Sequence, residues 1–168
     1  ASYHKAIAIK PNFPEANYNL GNVFKELRQL DEAVASYHKA LNIKPNFAKA
    51  YNNRGNAFKE LGHFDEAVTN YHKALDIKPN YAEAHCNLGT AVNKLGRLDK
   101  ALTSYHEALA IKPNFAVVYS NLGETLINLG RFDEAMASCR EALAIEPDDP
   151  ETGRHLLLVI SYVPGLSP

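Results

Sequence analysis

The chain has 168 residues, 46% of them hydrophobic, with 18 Lys plus Arg against 19 Asp plus Glu. Balanced charge argues against nucleic-acid binding, which needs a basic face, and the apolar content argues against disorder. Two cysteines, Cys86 and Cys139, are too few for a disulfide scaffold and fit a reducing compartment, so a cytoplasmic protein is expected. No apolar run approaches the roughly 18 residues of a membrane span, and no signal peptide is evident. A start at Ala1 inside a helical pattern raises the expectation of a piece cut from a longer protein.

A fixed period governs the rest, and it has to be found before anything else is read. Pro11, Pro45, Pro79, Pro113 and Pro147 stand 34 residues apart, within IKPNF, IKPNF, IKPNY, IKPNF and IEPDD. Gly21, Gly55, Gly89 and Gly123 keep the same interval. In chain order, residues 1–13 hold the second half of a unit, with Tyr3, Ala6, Ile7 and Ile9 at helical spacing. Four complete units follow at 14–47, 48–81, 82–115 and 116–149. Residues 150–168 predict a terminal capping helix and the start of a junction.

The second unit shows the predicted elements. Ala50, Tyr51, Arg54, Gly55, Ala57, Phe58 and Leu61 recur at helical spacing, with Arg54 the one charged member. A break follows at Gly62-His63, and Asp65 is expected as the N-cap of a second helix, as are Asp31, Asp99 and Asp133 in the other units. That helix carries Ala67, Val68, Tyr71, Ala74, Leu75 and Ile77. Pro79 then forbids continuation and pushes the residue before it out of helical geometry. A helix pair of this kind cannot bury both faces alone, so the units are expected to stack into an all-α solenoid.

These residues carry a resemblance. The pattern Tyr51-x2-Arg54-Gly55-x2-Phe58, followed by Ala67, Tyr71, Ala74 and Pro79, resembles the tetratricopeptide repeat. Departures are local: Asn17 stands where an aromatic is usual, Arg28 replaces the turn glycine, and Cys139 replaces a tyrosine. Arg28 would cost on the order of 1 kcal/mol if that turn needs a left-handed residue. The resemblance implies a right-handed superhelical solenoid of antiparallel helix pairs, with the first helices lining a concave groove.

Positions 2, 6, 9 and 13 of each unit share one stripe of the first helix. They read Glu15, Asn19, Asn22, Glu26; then Lys49, Asn53, Asn56, Glu60; then Glu83, Asn87, Thr90, Lys94; then Val117, Asn121, Glu124, Asn128. Position 6 is asparagine in all four units: Asn19, Asn53, Asn87 and Asn121. Asparagine is a mediocre mid-helix residue. Its amide, however, offers the acceptor and donors that match a peptide bond. A row of them could hold an extended polypeptide by its backbone, each bond worth roughly 0.5–1.5 kcal/mol. The alternative is that asparagine merely tolerates a solvated face. Asn22, Asn56, Lys49, Glu60, Glu83, Lys94, Glu124 and Asn128 are the flanking residues expected to bias the bound sequence. The ladder resembles the lining of the repeat superhelix in the O-linked N-acetylglucosamine transferases, where such asparagines contact substrate backbone. The clamp with which related repeats hold acidic chaperone tails needs Lys at position 5, where this chain has Tyr18, Asn52, Cys86 and Ser120.

Other constellations do not converge on chemistry. His4, His38, His72 and His106 recur at position 25, on successive second helices too far apart to share the roughly 2 Å ligand shell of a zinc ion. Asp65-Glu66 and Asp133-Glu134 sit at helix starts, where they favour the helix dipole. Cys139 occupies a packing position, Cys86 has no His-Asp pairing, and no phosphate-binding glycine loop occurs. No metal, cofactor or catalytic residue is expected in this chain.

The end changes character. Position 8 becomes Leu157 instead of glycine, and Leu156 to Ile160 is apolar all round, so one side should pack on the fourth unit and the other on something else. The segments His155 to Leu158 and Tyr162 to Ser167 resemble the junction to the catalytic region in bacterial relatives of the same transferases. Three functions follow as expectations: a scaffold holding a protein or peptide in its groove, the substrate-recognition arm of such a transferase, or a module that self-associates end to end.

Overall fold

The computed structural model describes residues 13–162, so the half unit expected over 1–13 lies, apart from Phe13, outside the described residues. Nine α-helices and no strand occur among the described residues. They are α1 (Pro14–Glu26), α2 (Leu30–Ile43), α3 (Ala48–Glu60), α4 (Phe64–Ile77), α5 (Ala82–Lys94), α6 (Leu98–Ile111), α7 (Ala116–Asn128), α8 (Phe132–Ile145) and α9 (Pro150–Tyr162). Each odd-numbered helix from α1 to α7 packs along the even-numbered helix that follows it.

The chain ends each helix by a local device. Lys44, Lys78 and Lys112 precede a proline and take ψ values of 87, 86 and 88°, which closes α2, α4 and α6. Between the helices of a pair, Gly62, Gly96 and Gly130 adopt φ of 80, 73 and 72°. Gly62 N–H donates to the Lys59 carbonyl and His63 N–H to that of Phe58, a left-handed helix terminus that glycine enters without steric cost. Arg28 occupies the same place with φ 61°, so the turn does demand a left-handed residue. Its guanidinium pairs with Glu60 at 2.8 Å, in an exposed setting where such a pair contributes little. Arg28→Gly should therefore raise stability by about 1 kcal/mol. A urea midpoint that stays put or falls would show the ion pair outweighing the backbone strain.

The four expected aspartate caps are displaced. Gln29, His63, Arg97 and Arg131 are the N-caps of α2, α4, α6 and α8, without side-chain capping bonds. Asp31, Asp65, Asp99 and Asp133 lie inside the first turn instead. The preceding turn is so tight that the helix begins one residue before the aspartate, which then acts on the helix dipole rather than on a free N–H. Asp149 is different: its carboxylate accepts the backbone N–H groups of Glu151 and Thr152 and caps α9.

Close approach within each pair rests on position 8. A Cβ on Gly21, Gly55 or Gly89 would lie 2.5–2.6 Å from the ring of Tyr37, Tyr71 or Tyr105, all fully buried. Ala33, Ala67, Ala101 and Ala135, also fully buried, keep the second helix equally close. Adjacent odd-numbered helices touch one another, whereas α2, α4, α6 and α8 do not. The row in mutual contact is the inner one, so the odd-numbered helices form the concave face. At the end, Val159 is buried and Tyr162 stacks on Phe132 at 5.2 Å, while Leu157 remains 70% exposed.

Candidate functional site

The inner face carries the four position-6 asparagines on α1, α3, α5 and α7, each half-buried. Asn53, Asn87 and Asn121 are not bare amides on a solvated surface. Asn53 Nδ2 donates to the Tyr18 hydroxyl at 3.0 Å and to Asn22 Oδ1 at 2.9 Å, and its Oδ1 accepts from Asn52 Nδ2 at 3.2 Å. Asn87 Nδ2 donates to Asn52 Oδ1 at 3.1 Å, while its Oδ1 accepts from Lys59 Nζ at 3.3 Å. Asn121 Nδ2 faces Thr90 Oγ1 at 3.4 Å and Cys86 Sγ at 3.9 Å. Every one of these Nδ2 partners belongs to the preceding unit, at position 5 or 9. The amide ladder thus ties α3, α5 and α7 each to the first helix before it.

The tyrosines that fill the helix pairs feed the same network. Tyr37 donates its hydroxyl to Asn22 Oδ1 at 2.7 Å, and Tyr71 donates to Asn56 Oδ1 at 2.8 Å. Burial raises both phenols well above their ordinary value. In the third unit the shorter Thr90 replaces asparagine, and the buried Tyr105 hydroxyl has no well-formed bond among the described residues. Burial pushes that phenol up to about 12. Oδ1 of Asn22 and of Asn56 is thus committed to tyrosine.

The charged residues expected to flank the groove divide into two sets. Lys49, Glu83 and Lys94 are exposed, as is Asn128, and Glu124 is half-buried. Glu60 is held by Arg28, and Glu15 by Lys44 at 2.9 Å. Lys59 was not singled out in the sequence; burial pulls its ammonium below the usual value as it reaches Asn87. Burial pushes the neighbouring Cys86 thiol up to about 11, the reverse of an activated nucleophile. Position 5 (Tyr18, Asn52, Cys86, Ser120) was also passed over as a site. Its i, i+4 relation to position 9 was the available signal.

The recurring histidines stay apart. His38, His72 and His106 lie on second helices that do not touch, and His4 lies outside the described residues. Among the described residues no group of three or more His, Cys, Asp or Glu side chains gathers around one point. No described helix is long and apolar enough to cross a membrane. Of the resembling junction, His155 to Leu158 and Tyr162 fall on α9, and residues 163–168 lie outside the described residues.

Against known proteins, the family profile described as TPR repeat matches residues 1–28, 21–62 and 55–96, and that described as tetratricopeptide repeat matches 93–154. No curated protein sequence matches the chain. Among solved structures the chain is similar to MamA, with 28% identity over 86% of this chain and 85% of that one, at a TM-score of 0.80. It is similar to YrrB, described as a TPR protein with an unusual peptide-binding site, with 25% identity, coverage of 96% and 84%, and a TM-score of 0.81. It is also similar to TTC0263, a thermophilic TPR protein of Thermus thermophilus, with 25% identity, coverage of 95% and 87%, and a TM-score of 0.76. The chain belongs to the tetratricopeptide repeat family and is an all-α solenoid of protein-binding repeats.

Proposed function

We propose that the concave face holds an extended polypeptide through its backbone, with amides of the first helices as the grip. The observation that carries this reading is the fixed orientation of the position-9 amides beside the ladder. Tyr37 and Tyr71 occupy Oδ1 of Asn22 and Asn56, which leaves their Nδ2 hydrogens to meet peptide carbonyls. The position-6 carbonyls, foremost that of Asn121, are the matching acceptors for peptide N–H groups. Exposed Lys49, Glu83 and Lys94 then select among side chains by charge. The similarity to YrrB, a TPR protein with an unusual peptide-binding site, supports a peptide as the ligand.

The ladder's double duty dictates the experiment. Asn53→Ala would loosen the joint between the first two units as well as weaken capture, so it cannot separate the two roles. Asn22→Asp and Asn56→Asp keep the acceptor that tyrosine needs and exchange the N–H donors for a carboxylate, whose charge also repels peptide carbonyls. Against an array of extended synthetic peptides, the double variant should bind its best ligands about tenfold more weakly, with its urea midpoint little changed. Unchanged capture would sink the backbone grip.

A second reading makes this array the substrate-recognition arm of a transferase of the O-linked N-acetylglucosamine class. It draws on the outward face of α9, where Leu157 and Leu158 are 70% and 44% exposed. Reading the coding sequence beyond Pro168 decides it: a sugar-nucleotide transferase domain supports the arm, and an unrelated domain or a stop removes it.

A further inference from the structure

The face opposite the groove holds a second recess. Because adjacent second helices do not touch, a furrow runs between each neighbouring pair, floored by position 7 of the first helix beneath. Between α2 and α4 that residue is Arg54, and it fills the furrow. Its Nε donates to Asn70 Oδ1 at 2.7 Å, and its Nη1 lies 3.2 Å from His38 Nδ1. Between α4 and α6 the equivalent residues are Leu88, Ser104 and His72, and no side chain plays the part of Arg54. Val92 also stands where the first two units have Phe24 and Phe58. What remains is an open cavity of about 330 Å³ lined by His72, Leu88, Val92, Lys100, Thr103 and Ser104.

We propose that this outer cavity binds an acidic partner segment, taking a short aliphatic side chain onto Leu88 and Val92 and a neighbouring carboxylate onto Lys100. Charge complementarity selects the occupant. Position 19 is Glu32, Glu66 and Glu134 in the other units, so Lys100 reverses the sign at this furrow alone. The hydroxyls add direction. Thr103 and Ser104 donate to the backbone carbonyls of Asp99 and Lys100, which leaves their oxygen lone pairs to accept a ligand N–H. Leu88 and Val92 are 6% and 4% exposed, a floor that offers apolar contact and no polar partner. An anion, an N–H and a small apolar group together describe a peptide carrying leucine beside glutamate.

The probe is the capped peptide Ser-Glu-Leu-Glu-Ser, titrated into methyl-labelled protein with its lysine twin Ser-Lys-Leu-Lys-Ser alongside. The acidic peptide should shift the Leu88 and Val92 methyl resonances, and the basic twin should not. Lys100→Glu, an exposed change to the residue of the other units, should weaken binding about tenfold. Leu88→Arg installs the residue that plugs the neighbouring furrow and should abolish binding in a protein whose circular dichroism is unchanged. If Leu88→Arg does not fold, Lys100→Glu carries the decision. Asn22→Asp, in the groove on the other face, should leave this binding alone. Equal binding of both peptides, no shift at Leu88 and Val92, or indifference to Lys100→Glu would overturn the proposal.

Discussion

Gly55→Ala should lower the stability of the array by about 2 kcal/mol, although alanine is the better helix former by about 1 kcal/mol. The added Cβ lies 2.6 Å from Tyr71 Cε1, and that ring is fully buried and cannot step aside. The last complete pair supplies the control. A Cβ on Gly123 meets Cys139 Sγ at 2.8 Å, a single atom at the end of a rotatable bond, and nothing else closer than 3.6 Å. Gly123→Ala should therefore be close to neutral. Urea midpoints of the two variants check this contrast; equal losses would mean that helix packing at position 8 does not set the cost.

Tyr71→Ala should be the most damaging single change, at about 3–5 kcal/mol for a fully buried aromatic side chain. The ring seals the α3–α4 pair over Gly55 and belongs to the same buried cluster as Cys86 and Leu88 of the next unit. Stability in such an array is a sum over neighbours, so a loss of that size at one joint uncouples the units before it from those after it. Unfolding followed by amide hydrogen exchange should split into two steps, with residues 13–77 exchanging first. Tyr71→Phe keeps the ring, removes only the bond to Asn56, and should cost about 1 kcal/mol in one cooperative transition.

Most of the fold was legible because the same local rules recur every 34 residues. Proline and glycine punctuate each unit, and the cost of a positive φ at Arg28 followed from the glycines at the corresponding turns. Two things were hidden, each for a physical reason. The aspartates of the second helices looked like caps because a sequence does not show how tightly the preceding turn closes. The asparagines looked like an exposed row because the residues that bind them sit one unit earlier, 31 or 35 positions back. Arg54, out of place on an apolar stripe, found its reason only when α2 and α4 came to stand on either side of it. Helical spacing was enough to read the asparagines as one stripe, while their bonding to one another is a property of stacked units.

If the inner face recognises peptide backbone, methylating the backbone nitrogens of its ligand must weaken binding. The strongest ligand from the peptide array is remade with its backbone N–H groups methylated one at a time, and separately with its side chains shuffled. Isothermal titration should show affinity falling about tenfold at each N–H that meets a ladder carbonyl, and little change on shuffling neutral side chains. Affinity that survives every methylation but collapses on shuffling would contradict the account and assign recognition to side chains alone.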